Sequence, residues 1–331
     1  MIFLIFAALL AACLRGAENV SGSATYHGYL TFTQPEDLKT AQHQDGVPLQ
    51  VIATTSIVAD VVANVGGDAI ELNSIIPRMT DPHGYQLTPG DLQMLHDADV
   101  VFINGLGLEE ALEQTLAQLP EDIPILSLSG GIQLRELTSE RTDTNEDHET
   151  EAHTDAGVDP HVWFDPMNIY IWTDNAAQSL AALDPANAAS FQANSDTFHN
   201  QLEDLHNWTL TQLEEIPLAD RILVTDHLLM GYFAQRYDFE ILNALLPAFS
   251  STASPSAQEL ADLQDSVRQS GVKVIFIGIN SNRQLAEQMA RDTSVAVVPL
   301  YTGSLSALNG PASTYLTFMQ YNVRAIVNAL K

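Results

Sequence analysis

"LQVIATTSIVADVVANVGGD" (Leu49–Asp68) decides how the chain is read. Its first part, "LQVIATT", is short and apolar, which suits a buried strand. Its second part, "SIVADVVANVGG", places apolar residues at helical spacing and ends in Gly66-Gly67, a good C-terminal stop. The unit is therefore a strand, a polar turn and a helix. "DRILVTDHLLMGYFAQRYDF" (Asp220–Phe239) repeats that plan in the second half. The likeness is one of pattern, not of identity, and reads as a weak internal duplication.

Outward from these units the alternation continues. "IELNSIIP", "DVVFING" and "IPILSL" read as strands in the first half, and "TPGDLQMLHDA" and "EEALEQTLAQL" as helices. In the second half "DFEILNAL", "VKVIFIGI" and "VAVVPL" are strands, separated by "SAQELADLQDSVRQSG" and "NRQLAEQMARDT", with a last helix in "ASTYLTFMQYNVRAIVNALK". Such alternation implies parallel sheets covered on both faces. Between the halves, residues 186–216 read as one helix bounded by Pro185 and Pro217. At 1.5 Å per residue it would be roughly 45 Å long, the length of a strut between lobes. The expected fold is α/β: two parallel-sheet lobes, 47–185 and 217–331, joined by one long rigid helix.

Composition narrows the function. Of 331 residues, 46% are apolar, enough for a well-buried core. Thirteen basic residues face forty-two acidic ones, giving a formal net charge of −29. That balance excludes nucleic acid as a partner, since phosphates need Lys and Arg. It also excludes a polybasic membrane patch. An acidic surface keeps a protein soluble and attracts cations.

The N-terminus reads as an export leader. "IFLIFAALLAAC" is apolar from Ile2 to Ala12, too short to span a bilayer. "LAAC" (Leu10–Cys13) resembles a bacterial lipobox, and Cys13 is the one cysteine of the chain. No Lys or Arg precedes the apolar run. Residues 1–13 are thus expected to be a signal peptide with lipobox, giving an anchored rather than a spanning protein. Residues 14–46 read as a polar tether. Residues 138–157, "TSERTDTNEDHETEAHTDAG", carry seven acids with His148 and His153, and read as a solvated loop.

Three of the ten histidines share a context. His83 and His161 each close an Asp-Pro-His triplet, in "DPHGYQLTPGDLQML" (Asp81–Leu95) and "DPHVWFDP" (Asp159–Pro166). His227 follows Asp226 in "VTDH". Each falls in a polar turn before a helix. In open parallel sheets such turns gather at the C-terminal ends of the strands, where ligands bind. Imidazoles from two lobes converging on the cleft would make a zinc-type site. Pro82 and Pro160 stiffen the turns, and Asp81, Asp159 and Asp226 could take the second ring N–H. Asp165 with Pro166 reads as a helix cap. His199 and His206, seven apart on the long helix, share a face expected to be exposed.

These residues carry a resemblance. Together with "ADVVFINGLGLE" and "GPASTYLTFMQYNV", they resemble the zinc/manganese solute-binding proteins of bacterial ABC uptake transporters, the cluster A-I metal-binding lipoproteins. The likeness runs from Val47 to Lys331. It implies two lobes on a rigid helix, with His83, His161 and His227 as metal ligands in the cleft between them. It implies an extracytoplasmic lipoprotein that hands a divalent ion to a membrane permease, and a monomer is expected. The acidic loop looks like that of the zinc branch. Two departures stand out. Gly303 and Gly278 occupy places where family acids are expected. Three His without a carboxylate favour Zn²⁺ over Mn²⁺, which prefers oxygen. Affinity is expected to fall as pH drops through about 6.5, the ordinary imidazole range. The rival readings are Mn²⁺ uptake, a surface adhesin with a structural metal, and a three-His zinc hydrolase.

Overall fold

The structure is a computed structural model that describes residues 37–41, 47–135, 157–246, 248–252, 256–281 and 283–331. The leader with Cys13, nearly all of the tether, and the acidic loop with His148 and His153 lie outside the described residues.

The first lobe carries the strands β1 (Leu49–Ala53), β2 (Ile70–Ser74), β3 (Val100–Ile103) and β4 (Ile125–Ser127). They pair in parallel in the order β2-β1-β3-β4. The second carries β5 (Ile222–His227), β6 (Glu240–Leu246), β7 (Val274–Gly278) and β8 (Ala296–Leu300). These are also parallel, in the order β6-β5-β7-β8. The two sheets have one topology, so the duplication read from pattern is present in three dimensions.

Local chemistry starts the helices where the sequence predicts. Thr55 caps α1 (Ser56–Gly66), accepting from the Val58 N–H at 3.2 Å. At its other end Gly67 takes φ 52°, a positive value that side chains rarely adopt. Asp165 caps α4 (Pro166–Leu183), accepting from the Met167 N–H at 2.9 Å, with Pro166 opening the helix.

The long stretch forms α5, Ala188–Leu213, a single 26-residue helix after a tight turn at Pro185–Asn187. It is about 39 Å long at 1.5 Å per residue. It packs on α1 and α4 of the first lobe and on α9 (Tyr315–Leu330) at the chain end. Phe191, Phe198 and Leu202 are buried in these contacts. A single apolar core runs through both lobes, from Val51, Trp163 and Trp172 to Phe276 and Phe318. Smaller cores cover the outer face of each sheet, around Val101 and Leu112 in one and Ile275 and Leu263 in the other. Lobes that share a core cannot swing apart without exposing it.

Polar bonds also cross between the lobes. Trp163 Nε1 donates to the Thr302 carbonyl at 2.9 Å. Tyr232 Oη donates to the Asp159 carbonyl at 3.2 Å, and Arg236 pairs with Asp165 at 2.7 Å. Arg78 Nη1 donates to the carbonyls of Ser306 and Ser313. Among the described residues no helix is long and apolar enough to cross a membrane.

The strut predicts its own test. Leu202→Ala should cost about 2–5 kcal/mol of unfolding free energy by urea titration, as for other buried leucines. Leu218→Ala, at a side chain 71% exposed, should stay within about 0.5 kcal/mol of the parent.

Candidate metal centre

His83, His161 and His227 meet between the sheets. His83 lies in the connection from β2 to α2 (Pro89–His96), and His161 in the one from β4 to α4. His227 is itself the last residue of β5 rather than part of a turn. The three places are not equivalent in topology. β2 and β4 are the edges of their sheet, whereas β5 lies inside its own. What the three share is the C-terminal end of a parallel sheet.

An aspartate accepts from each of the three histidines. Asp159 Oδ1 accepts from the His161 backbone N–H at 3.0 Å and from its Nδ1 at 2.8 Å. Asp226 Oδ1 does the same for His227, at 2.9 Å for both contacts. Asp81 takes only the His83 backbone N–H, at 3.0 Å, and its other oxygen accepts from Ser251 Oγ at 2.6 Å. An Nδ1–H held by a carboxylate leaves Nε2 with its lone pair free. His83 Nε2 and His161 Nε2 lie 3.2 Å apart. Two nitrogens on one tetrahedral Zn²⁺, each at 2.0–2.1 Å, would be roughly 3.3 Å apart. One nitrogen from each of the three rings lies within 4.8 Å of the others. Among the described residues this is the group of His, Cys, Asp or Glu side chains that could hold an ion.

Burial sets the charge. His161 is 2% exposed and His227 5%. Burial first, then the neighbouring His161 and His227, pushes His83 down to about 3. Burial likewise holds His161 well below 6.5. A neutral imidazole is the ligating form. The two Asp–His pairs then part company. Burial pushes Asp159 up to about 7, opposed by the His161 N–H and Arg135. Burial would raise Asp226 too. Hydrogen bonds from His227, Ser281 Oγ and the Gly278 N–H outweigh it and hold that carboxyl below its usual range.

Residues 51–329 match the family described as "Zinc-uptake complex component A periplasmic", ZnuA. The chain belongs to that family. It is 27% identical over 292 residues to the manganese-binding lipoprotein MntA of Halalkalibacterium halodurans, covering 88% of this chain and 91% of the relative. It is 26% identical to the manganese ABC transporter substrate-binding lipoprotein PsaA of Streptococcus pneumoniae, covering 86% and 90%. The periplasmic zinc-binding protein TroA of Treponema pallidum superposes with a TM-score of 0.77 at 25% identity, covering 86% and 99%. A Cd-bound periplasmic metal-binding protein of Candidatus Liberibacter asiaticus does so with 0.74 at 26% identity, covering 85% and 99%. This ZnuA-family chain is an extracytoplasmic metal-binding component of an ABC transporter, and not an enzyme. The hydrolase reading is dropped.

The glycines that depart from the family pattern have physical correlates. A Cβ on Gly303 would lie 2.7 Å from Cδ of Pro82, the residue before His83. A rigid ring therefore fills the space a carboxylate would need. At Gly278 a Cβ would run into Ser281 Oγ and lie 2.7 Å from Thr302 Oγ1 and 3.2 Å from Asp226 Oδ2. The cleft beside the rings is lined by Asp81, Ser281, Thr302 and Ser304.

Two further histidines correct the sequence reading. His199 is 8% exposed and stacks on Tyr170, with ring centroids 3.5 Å apart. His206 Nδ1 lies 3.1 Å from Tyr237 Oη. Both rings pack against tyrosines, with His199 buried and His206 half-buried.

The charge argument moves the proton competition. Folded values below 6.5 mean that the stability these neutral rings contribute is present above 6.5 and is lost as pH falls towards the folded values. In the metal-free protein the His83 ring, followed by NMR, should still be neutral at pH 5. A midpoint near 6.5 would mean that the ring is solvated and the triad open.

Proposed function

We propose that the chain carries Zn²⁺ on the Nε2 atoms of His83, His161 and His227, and hands it to an ABC permease while anchored as a lipoprotein through Cys13. The observation that carries the metal reading is the convergence of three imidazole nitrogens from both lobes within 4.8 Å, with no carboxylate among them. Neutral nitrogen donors suit Zn²⁺, while Mn²⁺ favours oxygen. The Pro82 ring against Gly303 supports the same choice, because it leaves no room for a carboxylate side chain at position 303. The similar fold of TroA, named for zinc, adds to it. The fourth coordination place then goes to water or another small ligand in the cleft.

The chain works alone in this reading, as a monomer, with the ion entering a cleft whose walls share a core. Its net charge of −29 draws cations towards it, more strongly at low salt. Small adjustments of the ligand turns, rather than a wide hinge, release the ion to the permease.

Mn²⁺ is the second reading, favoured by the names of MntA and PsaA. Equilibrium dialysis separates the two. One Zn²⁺ per chain is expected, with Mn²⁺ bound roughly tenfold or more weakly. The combined His83→Ala, His161→Ala and His227→Ala variant should lose that ion. Undiminished stoichiometry in the triple variant would defeat the ligand assignment, and tighter Mn²⁺ binding the choice of metal.

A further inference from the structure

β3 runs straight into "NGLGLE", Asn104–Glu109. Three consecutive residues there adopt left-handed backbone: Gly105 at φ 80°, Leu106 at 61° and Gly107 at 79°. A leucine pays for that conformation unless its surroundings hold it. Glu109, 2% exposed, does the holding. Its Oε1 accepts from the Asn104 N–H and from Thr54 Oγ1, each at 2.7 Å, and its Oε2 accepts from the Gly105 N–H at 3.0 Å. Burial pushes this carboxyl up to about 7, against those same donors.

The turn aims one side chain. Asn104 is fully buried, and its Nδ2 donates to the Pro160 carbonyl at 3.1 Å and to the Gly105 carbonyl at 2.7 Å. The Asn104 carbonyl accepts from Ser127 Oγ and Ser129 Oγ. Among the described residues Asn104 Oδ1 has no hydrogen-bond partner. A buried amide with one orphaned oxygen is poor material for a core, so its position calls for a reason beyond packing. Pro160 supplies one, as the residue immediately before His161.

We infer that Asn104, locked by Glu109, is a positioning residue for metal binding: it grips the Pro160 carbonyl and so fixes the turn from which His161 reaches the ion. This rests on the proposed role of His161 as a ligand. Neither Asn104 nor Glu109 touches the metal. Asp159 holds the His161 ring, and Asn104 holds the carbonyl of the residue before it.

Zinc titration calorimetry on the full chain tests it, with the apo melting temperature measured in parallel. Asn104→Ala should keep one Zn²⁺ per chain and weaken its affinity by about 10–100-fold, the size seen when outer partners of a ligand are removed. Leu263→Ala, in the far outer core of the second lobe, is the matched control. It should lower the apo melting temperature with affinity within about twofold of the parent. If Asn104→Ala does not fold, Asn104→Ser takes its place, with a hydroxyl too short to reach Pro160. Parental affinity in the Asn104 variant would overturn the inference, as would an equal loss in Leu263→Ala. His161→Ala in the same assay separates the premises: if it binds zinc like the parent, the ligand assignment fails instead.

Discussion

His83 and His161 bring their Nε2 atoms to 3.2 Å from each other in the cleft, a spacing that two imidazolium rings could not share. Everything the site can do depends on this. Burial removes the water that would stabilise an imidazolium, so His83 and His161 stay neutral and keep their lone pairs. Carboxylates on Nδ1 of His161 and His227 then decide which nitrogen is left for an ion. The two carboxylates are not alike. Asp226 collects enough donors to remain a stable anion, whereas Asp159 has fewer and is pushed up by burial. An arriving cation would meet one firmly charged support and one whose charge the ion itself would favour.

The fold supplies the enclosure. Two sheets of one topology present their C-terminal ends to a shared cleft, and an apolar core common to both lobes closes it behind. The polar contacts at its edges join turns far apart in sequence, such as Trp163 with Thr302. Such a frame permits a change in ligand geometry more readily than a change in lobe angle. It suits a protein that must hold an ion firmly and still release it at a membrane.

Most of the scaffold was legible in the sequence because local rules governed it. Alternating apolar runs gave the strands, while Asp165 and Gly67 marked helix ends by their own hydrogen bonding or backbone freedom. The three histidines were legible as a group from their Asp-containing turns. What escaped was set by tertiary packing. The face of α5 with His199 and His206 looks polar in a helical projection, yet helices and tyrosines cover it. The Asn104–Pro160 contact joins residues 56 apart and leaves no trace in periodicity. Its one local signal was Glu109 just after a glycine-rich turn. The lowering of His83 and His161 by burial escaped for the same reason: burial is not written at a single position.

The most direct test of the account is an anomalous-difference map at the zinc edge from crystals of the zinc-loaded protein. The account predicts one strong peak at about 2.0–2.1 Å from Nε2 of each of His83, His161 and His227. A peak elsewhere, or one touching fewer than three of these rings, would contradict it.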